Sequence, residues 1–240
     1  MFATYPGRLG RGTPAALAPG RHPAPESTMH IHALSNNGTT PDGALVRRDS
    51  QSPDGLRVLD SVLAMRPTPD VVLRARQRVE YDGNIRNWVR YSTQREPGGI
   101  DVTFERADLP PGARDGVPSF ARYLLVLELA TVGAWAEYIQ LDDADPTRTR
   151  QALLIRTDTQ PLLLPDGVST SAMRIDQLLD GSPANAFWCD SFGVLQADYI
   201  ETFPDGTQIS GISWRTTWEG VVPWLDAEVR AALDASGILA

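Results

Sequence analysis

Between Phe120 and Leu141 only Arg122, Glu128 and Glu137 are charged among 22 residues, making this the most apolar stretch of the chain. A segment so poor in charge has to be buried, so the fold must assemble around it. Its local structure stays open at this level. One continuous helix would place Glu128 and Glu137, nine residues apart, on roughly opposite sides. A strand pair folded about Val132-Gly133 would set them face to face. Two facing carboxylates are destabilising unless they share a proton, bind a cation or meet arginine, which is how acid/base dyads are built. Only that arrangement makes catalytic residues of Glu128 and Glu137.

With 240 residues and 42% hydrophobic content, the chain can bury one substantial core. Residues 1–53, rich in Gly, Pro, Ser, Thr and Asn, read as a disordered tail. The remainder, 54–240, is expected to form a single α+β domain, an antiparallel, meander-rich sheet with a few helices including a C-terminal one. An all-β barrel with a terminal helix is the alternative. Charge character changes at Met29, before which arginines outnumber acids, so both Met1 and Met29 stand as candidate translation starts. All three histidines, His22, His30 and His32, fall in the expected tail. His30 and His32 share one side only in a strand, where they could approach one metal ion, but no third ligand lies beside them.

All 22 basic residues are arginine. Without lysine there is no Schiff base, no pyridoxal phosphate anchor and no phosphate-loop lysine. A GC-rich genome is the simplest cause. The net charge of -8 and the absence of a basic cluster argue against a nucleic-acid partner. Cys189 is the only cysteine, which excludes an internal disulfide and a cysteine zinc site and fits a reducing compartment. No apolar run approaches the about 18 residues of a spanning helix, and no signal-peptide centre is visible. A soluble, cytoplasmic protein of a bacterium or phage is the expectation, with no membrane contact.

Apolar spacing at Leu56, Leu59, Val62 and Leu63 predicts a short helix over Asp54 to Arg66, stopped by Pro67. Alternation predicts a strand over Val71 to Tyr81, a turn at Asp82-Gly83-Asn84, and a return strand from Ile85 to Thr93 that sets Glu80 opposite Arg86 and Arg78 opposite Trp88. A short strand follows over Gly99 to Phe104, then a Pro/Gly-rich loop through Asp115. Asp142, Asp143 and Asp145 crowd one turn but match no calcium-loop spacing. Strand pieces are expected over Gln151 to Ile155 and Gln160 to Leu164, and a short helix over Ser169 to Asp180. Gly193 to Thr217 reads as a hairpin about Pro204-Asp205-Gly206, in the register that pairs Leu195, Ala197 and Tyr199 with Thr216, Trp214 and Ile212. Pro223 to Ser236 reads as the terminal helix, with Asp226 and Glu228 early and Gly237 as a cap.

No nucleophile elbow, dinucleotide fingerprint, zinc-protease helix or phosphate loop is present, so no motif names a reaction and no cofactor is implied. The favoured function is a non-catalytic acidic binding protein of accessory or inhibitor type. It would contact a protein partner, or a small apolar ligand, through the polar hairpin face of Gln196, Asp198, Ser213 and Arg215 with Trp214 and Trp218 as aromatic anchors. The competing function is a pocket enzyme, a cyclase, isomerase or hydrolase, using Glu128 with Glu137 or Asp198 with Arg215. Cys189 lies beside Asp190, whose charge would raise a thiol pKa, so an inert core cysteine is expected.

Overall fold

A computed structural model of the protein describes residues 28–202 and 208–239. Six strands come first: β1 (Thr28–Ser35), β2 (Gly43–Gln51), β3 (Arg57–Thr68), β4 (Val71–Tyr81), β5 (Trp88–Glu96) and β6 (Ile100–Glu105). A link with a one-turn helix α1 (Pro111–Arg114) leads to β7 (Gly116–Pro118), helix α2 (Arg122–Thr131) and β8 (Trp135–Leu141). Then come β9 (Thr149–Leu163), β10 (Ser169–Leu179), β11 (Ser182–Asp190), β12 (Gly193–Thr202) and β13 (Gln208–Thr216). The short helix α3 (Trp218–Val221) and the terminal helix α4 (Ala227–Ala235) complete the described chain.

All thirteen strands belong to one sheet, in the order β6-β5-β4-β3-β2-β1-β13-β12-β11-β10-β9-β8-β7. Every pair is antiparallel except β7 with β8. Two meanders therefore meet where β1 pairs β13, and α2 is the crossover that a parallel pair requires. Chain geometry forces the sheet to curl. Laid flat, thirteen strands at about 4.8 Å would separate β6 from β7 by about 58 Å, but the link from Glu105 to Gly116 can span at most about 38 Å. The two ends meet through side chains: Trp88 Nε1 donates to Gly116 O at 2.7 Å, Arg86 to Glu137 O at 3.2 Å, and Gln77 to Asp143 at 2.8 Å. The described β6 and β7 share no backbone ladder, so this sheet is curled yet open in its hydrogen bonding.

Both faces are covered. On the concave face α2 buries Tyr123, Leu125, Val126 and Leu129 against Leu59, Val79, Trp88, Tyr91, Leu154 and Ile175. On the convex face α4 lays Val229 and Leu233 over Val46, Val62 and Ala64. Asp226 caps α4, accepting from Glu228 N at 2.9 Å and Val229 N at 3.0 Å, while Arg66 donates to its other oxygen at 2.6 Å. Removing the cap in Asp226→Ala is expected to destabilise the fold by about 1 kcal/mol, measured as a shift of the urea midpoint.

Two-sided burial explains most departures from the sequence reading. In β3, five consecutive residues from Val58 to Val62 are buried, because Leu59 faces α2 and Val62 faces α4. Apolar residues from two faces imitate helical spacing, and the helix expected over Asp54 to Arg66 is a strand. The same holds for Ser169 to Asp180, where Ile175 lies on one face and Ala172 on the other of β10. The disordered tail is corrected from residue 28 onward: β1 and β2 are central strands, with Ala33, Ala44 and Val46 all buried. Residues 1–27 and the Pro204-Asp205-Gly206 turn lie outside the described residues.

The apolar stretch adopts neither arrangement foreseen for it, since α2 ends at Thr131 and the chain, after Gly133 at φ +98°, continues as β8. The two expected strand pieces around Thr157 are one strand, β9. After Tyr81 a 3-10 turn over Ile85–Asn87, capped by Asn84, lengthens the connection. The register accordingly shifts to Glu80↔Arg90 and Tyr81↔Trp88, and Arg78 pairs with Glu80 at 3.1 Å rather than with Trp88.

Candidate functional site

The carboxylates singled out from sequence do not converge. Glu128 sits near the end of α2 and receives Asn84 Nδ2 at 3.2 and 3.3 Å, whereas Glu137 is exposed on β8 opposite Leu153. A helix followed by a strand in a different layer cannot oppose them, so the dyad is corrected. The β12–β13 register is Gln196↔Trp214, Ala197↔Ser213 and Asp198↔Ile212, one residue from the expected pairing. That slip puts Asp198 and Gln196 on the face of Trp214, and Ser213 and Arg215 on the opposite face. The Asp198–Arg215 pairing therefore fails as well. Gln196, Ser213 and Trp214 are all buried, and Trp218 packs partly buried against the α4 cluster.

Asp198 is half-buried, and desolvation raises its carboxyl against the hydrogen bond from Gln196 at 3.3 Å. Asp142, Asp143 and Asp145 turn to local donors, among them Ala144 N, Ser119 N and Thr147 N. Among the described residues no group of three or more His, Cys, Asp or Glu is placed to hold a metal ion.

What the fold does assemble is a polar cluster on the concave face. Directly opposed residues of antiparallel strands share a face, and His30↔Arg47 and His32↔Arg215 bring two histidines and two arginines together across β2, β1 and β13. The adjoining pair Asp49↔Leu59 places Asp49 on the same face, where it meets Arg57. From α2, Tyr123 comes down over them: its ring carries the Arg47 guanidinium 4.2 Å from its centroid and lies 6.2 Å from the His30 ring. Leu127 and Thr131, four and eight residues on, follow along the same helix face.

A cleft of about 600 Å³ opens beside this cluster, between α2 and the ends of β9, β10 and β11. Leu127, Ala130, Met173, Phe192 and Cys189 supply its apolar wall, and His30, Asp190 and Gly193 its inner side. Asp190 caps the β11–β12 turn, accepting from Phe192 N at 2.8 Å, and is clamped by both terminal nitrogens of Arg215. Gly193, at φ +119°, lets the turn press close: a Cβ there would lie 3.5 Å from the Tyr123 hydroxyl and 3.9 Å from His30 Cε1.

Charge within the cluster does not balance. Arg57 is paired with Asp49 and Arg215 with Asp190. Arg47 has no hydrogen bond or ion pair among the described residues beyond its stacking on Tyr123, and burial pulls its guanidinium down to about 10, still charged at neutral pH. The nearby Arg122 guanidinium adds to that depression; among the described residues it donates only to the Ser119 carbonyl, at 2.9 Å, and has no carboxylate partner. Burial first, then Arg47, holds both His30 and His32 below the usual imidazole range. His32 is wholly buried, and among the described residues neither its ring nitrogens nor the buried Tyr123 hydroxyl has a hydrogen-bond partner. Burial drives the Cys189 thiol up to about 12, with Asp190 adding to the effect, so it stays protonated as expected for an inert core cysteine.

Sequence reasoning missed this cluster because it consigned His30 and His32 to a tail. The available signal was the alternation of Met29 to Leu34, which puts both histidines on one side and Ile31 and Ala33 on the other.

No protein-family model matches this sequence, and none of the curated proteins does. Among solved structures, the chain is similar to a beta-barrel-like protein of a domain of unknown function, DUF1849, from Brucella abortus. The identity is 11% and the TM-score 0.47, over 81% of this chain and 96% of that one.

Proposed function

We propose that the protein is a non-catalytic binding protein whose cleft holds a small, largely apolar ligand. The observation that carries this reading is the cleft of about 600 Å³ between α2 and the sheet, walled by Leu127, Ala130, Met173 and Phe192, with Phe192 76% exposed at its rim. Ligand sites are concave, mostly apolar and set with a few polar groups, and this is such a place. Its candidate nucleophile is a protonated thiol, and its one carboxylate, Asp190, is held by Arg215. A cytoplasmic setting belongs to the proposal and rests on Cys189 being the only cysteine. No nucleic-acid partner is proposed, in keeping with the net charge of -8.

Octan-1-ol is a suitable probe. Isothermal titration calorimetry should show saturable binding to the full chain with one site. Leu127→Glu, which puts a carboxylate on the apolar wall, should weaken that binding by at least about tenfold while leaving the unfolding free energy within about 0.5 kcal/mol of the parent. Failure of octan-1-ol to bind, or equal binding by L127E, would end the reading.

A further inference from the structure

The apolar cleft leaves one feature without a use, the excess of positive charge beside it. We infer that the ligand is an amphipathic anion, a small acid whose carboxylate is received by Arg47 and the Tyr123 hydroxyl while its apolar tail lies along Leu127 and Met173. This deepens the proposal that the cleft binds a small apolar ligand and rests on it.

Four arginines, Arg47, Arg57, Arg122 and Arg215, surround the cluster against two carboxylates, Asp49 and Asp190, each already committed to one arginine. The surplus therefore sits on Arg47 and Arg122. A half-buried guanidinium with no carboxylate partner among the described residues is costly, and proteins retain one where an anion completes it. Arg47 is fixed for that role by stacking on Tyr123, which keeps its planar fork oriented without using any of its N–H donors. The Tyr123 hydroxyl is buried and unpartnered, and it points at the Gly193 turn that forms the inner side of the cleft. His32 lies behind it on the same sheet face, wholly buried and with both ring nitrogens free of partners; as a neutral imidazole it can donate one further hydrogen bond. Arg47 and the Tyr123 hydroxyl, with His32 buried behind them, thus sit immediately beyond His30 and the Gly193 turn, which form the inner side of the apolar cleft. Asp49 and Asp190 repel an anion, but each is neutralised by its own arginine, which keeps the field at Tyr123 positive.

The test compares two probes that differ in the head alone, octanoate and octan-1-ol, titrated calorimetrically into the full chain at neutral pH. Octanoate should bind at least about tenfold more tightly than octan-1-ol. Arg47→Met, which fills the same space without charge, should bring octanoate down to the affinity of the alcohol and leave the alcohol unchanged. Tyr123→Phe removes only the hydroxyl and should weaken octanoate several-fold with the same indifference of the alcohol, so the inference remains open to refutation if R47M does not fold. Octanoate binding no tighter than octan-1-ol, or keeping its advantage in both variants, overturns the anionic head while leaving the apolar cleft standing. If neither probe binds, both readings fall.

Discussion

Replacing Trp88 with alanine is expected to remove about 3–5 kcal/mol, a large part of the about 5–15 kcal/mol that holds a domain folded. Trp88 is 1% exposed, packs edge-on against Tyr91 at 5.2 Å between ring centroids, and donates Nε1 to the Gly116 carbonyl at 2.7 Å. It joins β5, near one end of the sheet, to β7 at the other. Truncation therefore empties core volume and breaks a link across the two ends of the sheet. Trp88→Phe separates the two losses, because it keeps most of the packing and leaves the carbonyl without its donor, for about 1–3 kcal/mol. Urea denaturation followed by circular dichroism gives both values. A parental midpoint for W88A would mean that the ends of the sheet are held elsewhere.

Acid should weaken the fold well above the range where carboxylates titrate. Burial, with Arg47, His30 and Arg215 adding to it, keeps His32 neutral in the folded state well below the ordinary imidazole pKa. Unfolded, the same ring takes up a proton near pH 6.5. The unfolded state thus binds more protons, and stability falls as pH drops below about 6.5, by up to about 1.4 kcal/mol per unit for this one residue. His30, lowered less, acts in the same direction. Asp42 and Asp49, whose carboxyls are raised by burial, act oppositely once they begin to protonate, so the histidine effect is cleanest between about pH 5 and 6.5. Leucine at position 32 removes a ring whose nitrogens have no partners. His32→Leu should leave stability at about pH 7.5 nearly unchanged and roughly halve its loss on going to about pH 5.5. Chemical denaturation at the two pH values decides the point, and an unaltered slope in H32L would assign the acid sensitivity to other groups.

Much of the strand content was legible where one face alternates cleanly, as in β4 from Val71 to Tyr81 and in the short β6. The terminal helix was legible too, through Gly237, at φ +68°, beyond its end, although it starts at Ala227, capped by Asp226, rather than at Pro223. Illegible were the strands buried on both sides. In β3 and β10 two apolar sets interleave, and their sum mimics a helix; in the β12–β13 hairpin both faces are covered, so the pairing that sorts polar from apolar residues was the wrong one. The cleft cluster was hidden for a different reason. His30, Arg47, Tyr123 and Arg215 are brought together only by the pairing of β1 with β2 and β13 and by the descent of α2, relations that no local spacing encodes. Ordinary surface-like sequence around Arg47 and Arg48 gave no hint that one would stack on Tyr123 while the other reaches across to the Ile238 carbonyl.

The pairing of the first described strand with the last sets an order of events in biosynthesis. As the chain leaves the ribosome, β1 to β6 can zip into a meander from contacts between near neighbours, but β1 then waits with one edge bare. The histidine side of that strand and the apolar side bearing Ile31 and Ala33 both stay wet until Trp214 and its neighbours arrive from almost the far end of the chain. Closing so long a loop is entropically slow, and an unpaired strand edge is a template for wrong partners in the meantime. The proposed site is thus completed all at once and late, because its half on β1 and β2 has no partner until β13 and its Arg215 are in place.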